Sequence, residues 1–560
     1  MFPSLLNVVG TALILCVSIA EEAGGAAGAG GVQPLADAPP SVPGSNTPAP
    51  VKDSPSLLAG PGAGVTRADL AAIYLRFEHA LAKNPPLPGR VKNINAAFDE
   101  ATMAFFGGGY GSAIAKLTEV IGRLENSGGD DTRSVSRRFA ESLKVRIEPS
   151  ILVPGSESNG GPVTITVSPM HMLRPQDVDK LPPEAAATRI VAKASLRLDG
   201  APLANGPSAT IALDPANKNA VEPTTASNPE WSKLPPGRYE VVVEVPGEAP
   251  IIAGAWTVMA TAPSVLSANI VRQLSPLRTS DDAQSDAINA CLSRARLLVD
   301  NPSNLRSAEF LVSPIALAAQ VKAEAQALAD HGDPYRLRSG DWWVGVPGIG
   351  RDVPCRFYAP AAACKGDAPV PLVVCLHGAG GDESMFMDGY GAGEIKRLAD
   401  AHGFIVVSPS TNVVQNGPGH LDAVLGAAKR WYSIDPDRIY ILGHSIGANA
   451  TATLAALRCD TFAAALCMAG GAGRAMEGRV PPMLVIAGEF DPIFLPGRIK
   501  SAVTKAQENG AKIELRIAKD YGHTMLVGAK LEEGVDWLLS HTRALAPAPE
   551  KTGPAMMDGG

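Results

Sequence analysis

No cluster of lysines and arginines stands out in this 560-residue chain, and its formal net charge of −7 gives no footing for a nucleic-acid partner. Metal chemistry lacks a footing too. No two of the seven cysteines have C-x-x-C spacing, so a zinc site is not expected; no cofactor is expected either. Long apolar runs are missing except for residues 4–20, SLLNVVGTALILCVSIA. No Lys or Arg precedes that run, but Ser18-Ile19-Ala20 before Glu21 has the small-x-small form of a cleavage site. Residues 1–20 are therefore read as a signal peptide, with an uncleaved anchor as the alternative. Leu15 is too large to precede a lipidated Cys16. The chain is expected to be secreted or held in the cell envelope, with envelope association through its N-terminal region.

Cleavage would leave six cysteines. Cys375 and Cys467 lie in apolar strands and are expected to be small core residues. Cys355 and Cys364 flank a loop and are a candidate disulfide pair in an exported protein.

Glycine (57) and proline (48) are plentiful and crowded into particular stretches. They punctuate a chain too long for one domain. Residues 21–64 are low-complexity and are read as a disordered linker. Residues 65–145 form a helical region, broken by Pro85, Pro86 and Pro88 and again by Gly107–Gly109. Its segment from Phe98 to Leu124 resembles one tetratricopeptide-type hairpin. It has no second copy at a fixed period, so a small bundle packed on its neighbour is expected rather than a repeat array. Residues 146–262 alternate like strands and suggest a β-sandwich-like domain. The aromatics that a sugar platform needs are scarce there, Trp231, Tyr239 and Trp256 being the main ones, so a spacer role is preferred. Residues 263–334 return to helical periodicity as a connector, with a break at Asp300-Asn301-Pro302. Residues 546–560 are a flexible tail.

Residues 335–545 alternate strand and helix, as an α/β domain with a mostly parallel sheet does. Short apolar strands are expected at 372–376, 404–407, 439–442, 463–468, 484–487 and 513–517. Within this region, Arg438–Leu442 reads as a buried strand, Gly443-His444-Ser445-Ile446-Gly447 follows at once, and Ala448–Arg458 reads as a helix. Strand, G-x-S-x-G and helix make the context of a nucleophile elbow, with Ser445 at its tip. Side chains at positions 443 and 447 would collide with neighbouring elements.

A serine nucleophile needs a base. Downstream lie His523, in a loop just after a strand, and His541, which reads as a solvated helix end; His523 is preferred. The acid should follow a strand between serine and histidine. Glu489 and Asp491 do so, and Asp491 lies deeper in the loop; Asp520 is the other contender, and Asp460, Glu477, Glu508 and Glu514 are less well placed. The oxyanion hole needs backbone N–H donors. Ile446, after the nucleophile, is one candidate, and Ala379 or Gly378, in the glycine-rich loop after the strand at 372–376, is the other. That loop lacks the Gly-Lys-Ser/Thr ending of a phosphate loop.

The motifs LHGAGGDE at 376–383, IDPDRIYILGHSIGA at 434–448, GEFDP at 488–492 and GH at 522–523 resemble those of the α/β-hydrolases. Within that superfamily they resemble the secreted esterases similar to polyhydroxybutyrate depolymerases and feruloyl esterases. Ala448 stands where the pattern usually has a second glycine, and it is small enough to leave the elbow intact. The resemblance covers little more than a third of the chain. It implies a serine carboxylesterase working through an acyl-enzyme, on a small-molecule or polymer-linked ester. A peptidase or thioesterase would use the same triad. A cell-surface binding or scaffold protein with a vestigial hydrolase domain is the reading from another class.

Overall fold

The computed structural model describes residues 64–154, 163–173, 190–198, 201–203, 208–213, 224–227, 233–245, 247–278, 283–299, 311–366, 368–471 and 480–543. The expected signal peptide, the expected linker up to residue 63, the break at 300–302, Trp231, Glu477 and the expected tail lie outside them.

Three helices open the described chain: α1 (Arg67–Lys83), α2 (Val91–Phe106) and α3 (Tyr110–Glu125). Thr66 and Asp69 form a reciprocal capping box that fixes the start of α1. The helices end where the sequence places its breakers, before the proline cluster and at Gly107. They share an apolar core of Ile73, Phe77, Ile94, Phe98, Ile114 and Leu117. Met525, more than 400 residues away, belongs to the same core, so the bundle is continuous with the C-terminal domain.

After α4 (Val135–Ser142) the chain makes two packed sheets. Strands β1 (Leu143–Glu148), β3 (Thr164–Pro169) and β7 (Thr224–Ser227) form one. The other joins β2 (Ile151–Leu152), β9 (Ile251–Val258), β8 (Gly237–Glu244), β4 (Ile190–Leu198) and β5 (Ala201–Pro202), with β6 (Ser208–Leu213) paired to β4. Ile147, Ile165 and Val167 from the first sheet share a core with Val241, Val243 and Trp256 from the second. Tyr239 and Trp256 are buried in this core, so neither offers a ring face to a ligand. Helices α5 (Pro263–Leu274), α6 (Ala283–Leu297) and α7 (Pro314–Ala329) then lead to the last domain.

That domain is built on an eight-stranded sheet in the order β10-β11-β13-β12-β14-β15-β16-β17. Its strands are β10 (Gly340–Pro347), β11 (Asp352–Ala359), β12 (Val370–Leu376), β13 (Ile405–Pro409), β14 (Ile434–His444), β15 (Ala464–Met468), β16 (Met483–Gly488) and β17 (Ile513–Ala518). The pairs β10–β11 and β11–β13 are antiparallel and all the others parallel. Along β12, Leu372, Val374 and Leu376 enter the core on one face of the sheet, and Val373 and Cys375 the core on the other. That is why the strand is an unbroken apolar run. Helices α8 (Tyr390–His402), α9 (Pro418–Trp431), α10 (Ile446–Leu457), α11 (Pro496–Glu508) and α12 (Met525–Leu539) join the strands.

All six expected strands are present; five run one to five residues further at one or both ends, and β13 and β15 start one residue later than expected. The hairpin β10–β11 is an addition to the expected set. Cys355 and Cys364 are both free thiols, so the candidate disulfide is not formed. Cys355 is buried within β11, where its Sγ contacts the Val353 carbonyl at 3.3 Å. Cys375 and Cys467 are buried core residues, and burial raises both thiol pKa values.

Candidate active site

The parallel strands β12, β14, β16 and β17 end at one edge of the sheet, and the loops leaving them converge there. Ser445 follows β14 with φ 59° and ψ −121°, a left-handed backbone conformation costly for a residue with a Cβ. The turn holds because its flanks are bare. A Cβ on Gly443 would overlap the Gly447 carbonyl, and one on Gly447 would overlap the Leu376 carbonyl. The Ser445 N–H donates to the Met468 carbonyl at 3.0 Å, which ties the elbow to β15. Ala448, at the non-glycine position of the motif, is fully buried.

The loop after β17 brings His523 over this elbow, and the loop after β16 brings Asp491. His523 Nε2 lies 3.1 Å from Ser445 Oγ, and His523 Nδ1 lies 2.8 Å from Asp491 Oδ2. A carboxylate only accepts, so Nδ1 carries the proton and Nε2 is free to accept from the serine hydroxyl. Asp491 Oδ1 is held by the N–H groups of Ile493 (2.8 Å) and Phe494 (2.9 Å), and the Phe494 ring stacks on His523. Of the competing acids, Glu489 is engaged elsewhere, accepting from the Asp520 N–H at 3.0 Å. His541, past the end of α12, bonds the Trp537 carbonyl through Nδ1. Ser445, His523 and Asp491 are 3%, 2% and 1% exposed.

The glycine-rich loop after β12 forms the adjacent wall. His377 Nε2 accepts from the Thr411 N–H at 2.9 Å, so its Nδ1 donates to the Gly378 carbonyl at 2.9 Å. The Gly381 N–H also donates to that carbonyl, at 3.1 Å. In a trans peptide the N–H points opposite the C=O. Holding the Gly378 carbonyl back therefore turns the Ala379 N–H the other way. The Gly378 N–H faces the Tyr390 hydroxyl at 3.5 Å. Ile446 is the first residue of α10, where an amide has no carbonyl a turn earlier within its helix.

Sequence reasoning missed three groups. His444, inside the elbow motif, takes the Tyr390 hydroxyl on Nδ1 (2.8 Å) and donates from Nε2 to the His523 carbonyl (3.2 Å). Burial, and then the neighbouring His523, push its pKa well below the ordinary value and keep it neutral. A charged ring there would oppose a positive His523. The second group is His377, which burial also holds neutral. Both histidines sit within the quoted motifs, so their positions were a usable signal.

The third group lies in the bundle expected to pack on its neighbour, and nothing in the sequence says that the neighbour is this site. The α1–α3 bundle lies across the site as a roof. Asn95 accepts from the Gly522 N–H at 3.3 Å, and Asp99 accepts from the His523 N–H at 3.2 Å. Arg67 reaches the Gly380 carbonyl and pairs with Asp382 at 2.7 Å. Glu78 accepts from the Gly391 N–H at 3.1 Å and from the Tyr74 hydroxyl at 2.6 Å.

Burial raises the Asp99 carboxyl to about 6. A raised acid means that the docked state binds the extra proton, so docking weakens as pH climbs from about 4 to 6. Asp99→Asn keeps an acceptor for the His523 N–H and removes that dependence. The variant is expected to melt at or above the wild-type temperature at pH 7. Its advantage should shrink as pH falls toward 4. An advantage at pH 7 that does not shrink, or a variant less stable at pH 7 than at pH 4 relative to wild type, would contradict this account.

Residues 340–539 have the α/β-hydrolase fold: a mostly parallel eight-stranded sheet with its second strand antiparallel and a serine elbow between strand and helix. Over 122 residues the chain is 34% identical to poly(3-hydroxyalkanoate) depolymerase C of Paucimonas lemoignei, a match that takes in 19% of this chain and spans 28% of the depolymerase. Among solved structures it is similar to S-formylglutathione hydrolase from Staphylococcus aureus (17% identity, TM-score 0.31, 36% of this chain and 98% of that one). It is also similar to a ferulic acid esterase (12% identity, TM-score 0.31, 36% of this chain and 96% of that one). No family model matches the chain.

Proposed function

We propose that the chain is an exported serine hydrolase that cleaves carboxylic esters through an acyl-enzyme. The observation that carries this reading is the buried hydrogen-bonded line Asp491–His523–Ser445, with the serine on a strained elbow. Ser445 Oγ attacks the ester carbonyl as His523 Nε2 takes its proton. Asp491 holds the imidazole in the tautomer that makes this possible and stabilises the imidazolium. The Ile446 and Ala379 N–H groups receive the oxyanion, each worth about 3 kcal/mol in the transition state. His523 then returns the proton to the departing alcohol, and water repeats the sequence to release the acid. Against a vestigial site stands the cost of keeping it: a left-handed serine and a line of buried polar groups contribute nothing to a scaffold.

The test is kinetic. With a nitrophenyl ester, nitrophenol should appear in a burst of about one equivalent per chain before the steady state, and peptide mapping should place the acyl group on Ser445. Turnover with the acyl group on another residue would overturn the assignment.

A further inference from the structure

We propose that helices α1–α3 supply the acyl-binding chamber of this site, and that it selects esters of compact, apolar carboxylic acids over long-chain ones. The inference rests on Ser445 being the nucleophile, as proposed above. The cavity over Ser445 has a volume of about 140 Å³. Its floor is the Gly378–Gly381 loop with Ser445 and His523, and its ceiling comes from the roof, chiefly Leu70, Tyr74, Phe98, Phe105 and Leu117. A dry cavity of roughly 150 Å³ accommodates a benzene ring. The pocket is partly open to solvent, so its inner space suits a phenyl or a short alkyl group, and an extended chain would have to run out into water.

The roof is clamped and not merely resting. Arg67, Glu78, Asn95 and Asp99 fasten it to the loops carrying Gly380, Gly391, Gly522 and His523. With Ser445 only 3% exposed, the chamber is the space in which a substrate must fit.

Bond geometry says which half of the ester it holds. The alcohol must leave within reach of His523 Nε2 to take its proton. The carbonyl oxygen points at the oxyanion donors. The acyl substituent is left facing away from His523, toward Gly380 and Gly381. Phe105 stands there, so close to Gly380 that a methyl group on that glycine would overlap its ring. Phe105 thus sets the depth of the acyl chamber. Thr102, one helical turn earlier on α2, lines the same space.

The test measures kcat/KM of the full chain on nitrophenyl esters from acetyl to dodecanoyl. A second series holds butanoyl constant and varies the alcohol. Wild type should prefer butanoyl to hexanoyl and lose about tenfold or more by decanoyl. Phe105→Ala should raise the decanoyl-to-butanoyl ratio about tenfold, and Thr102→Leu, which adds bulk, should lower it. Melting curves identify any variant that has not folded, and the other variant then carries the test. A Ser445-dependent activity whose ratio moves in neither variant would overturn the chamber alone, as would a shift confined to the alcohol series. Hydrolysis that persists in Ser445→Ala would overturn the underlying reading of the site.

Discussion

Ser445→Ala is expected to lower kcat on a nitrophenyl ester by on the order of 10⁵- to 10⁶-fold and to abolish labelling by a fluorophosphonate. The size of the effect follows from what remains. Without Oγ there is no acyl-enzyme, and the buried His523–Asp491 pair has no group to activate except a water admitted to a small cavity. The oxyanion donors still stand, so residual hydrolysis on the order of 10³- to 10⁴-fold above the uncatalysed rate is the expected floor. The fold should survive. The strain at position 445 belongs to the backbone, and alanine keeps the same Cβ. A variant that melts like the wild type and keeps even a hundredth of its turnover would remove Ser445 from the mechanism.

The next largest loss is expected at the acid. Asp491→Asn should cost about 10⁴ in kcat with little change in melting temperature. Its Oδ1 can still accept from Ile493 and Phe494, so the loop keeps its shape. The atom that faces His523 Nδ1 becomes an amide nitrogen, which donates and so favours a proton on Nε2. That tautomer cannot take the serine's proton. Glu489→Gln and Asp520→Asn provide the contrast. Glu489 braces the backbone of Asp520, so each should lose no more than about tenfold through small shifts of the His523 loop. If either were as damaged as Asp491→Asn, or if Asp491→Asn stayed near wild type, the acid would have to be reassigned.

Much of the C-terminal domain was legible because its physics is local. Strands β12, β13, β15 and β16 and the second half of β14 are buried on both faces and read as short apolar runs. The elbow announces itself through glycines that leave no room for side chains. The place of Asp491 beside His523 was legible from its depth in a loop at a strand's end. The β10–β11 hairpin was harder. Trp342 to Val346 is an apolar run covered on both sides, without the alternation that marks a half-exposed hairpin, although Gly348 and Gly350 do mark its turn. Most opaque was the roof. Helical periodicity in α1–α3 shows that one face seeks a partner. It does not reveal that the partner is an active-site loop. Asp99 sits among core positions of α2 and is, by pattern alone, an ordinary interruption of an apolar face.

The hydrogen bond between Asp99 and the His523 amide joins residues separated by 424 positions. Ribosomes add roughly 5 to 20 residues per second, so about 20 to 85 s separate the synthesis of its two ends. During that interval the undersides of α1–α3, with Leu70, Phe98 and Phe105, have been made and have nothing to cover. The N-terminal helices are thus a part of the proposed site that waits while most of the chain is translated. A chain that stops short of residue 523 leaves that apolar surface bare, which makes an unfinished chain prone to aggregate.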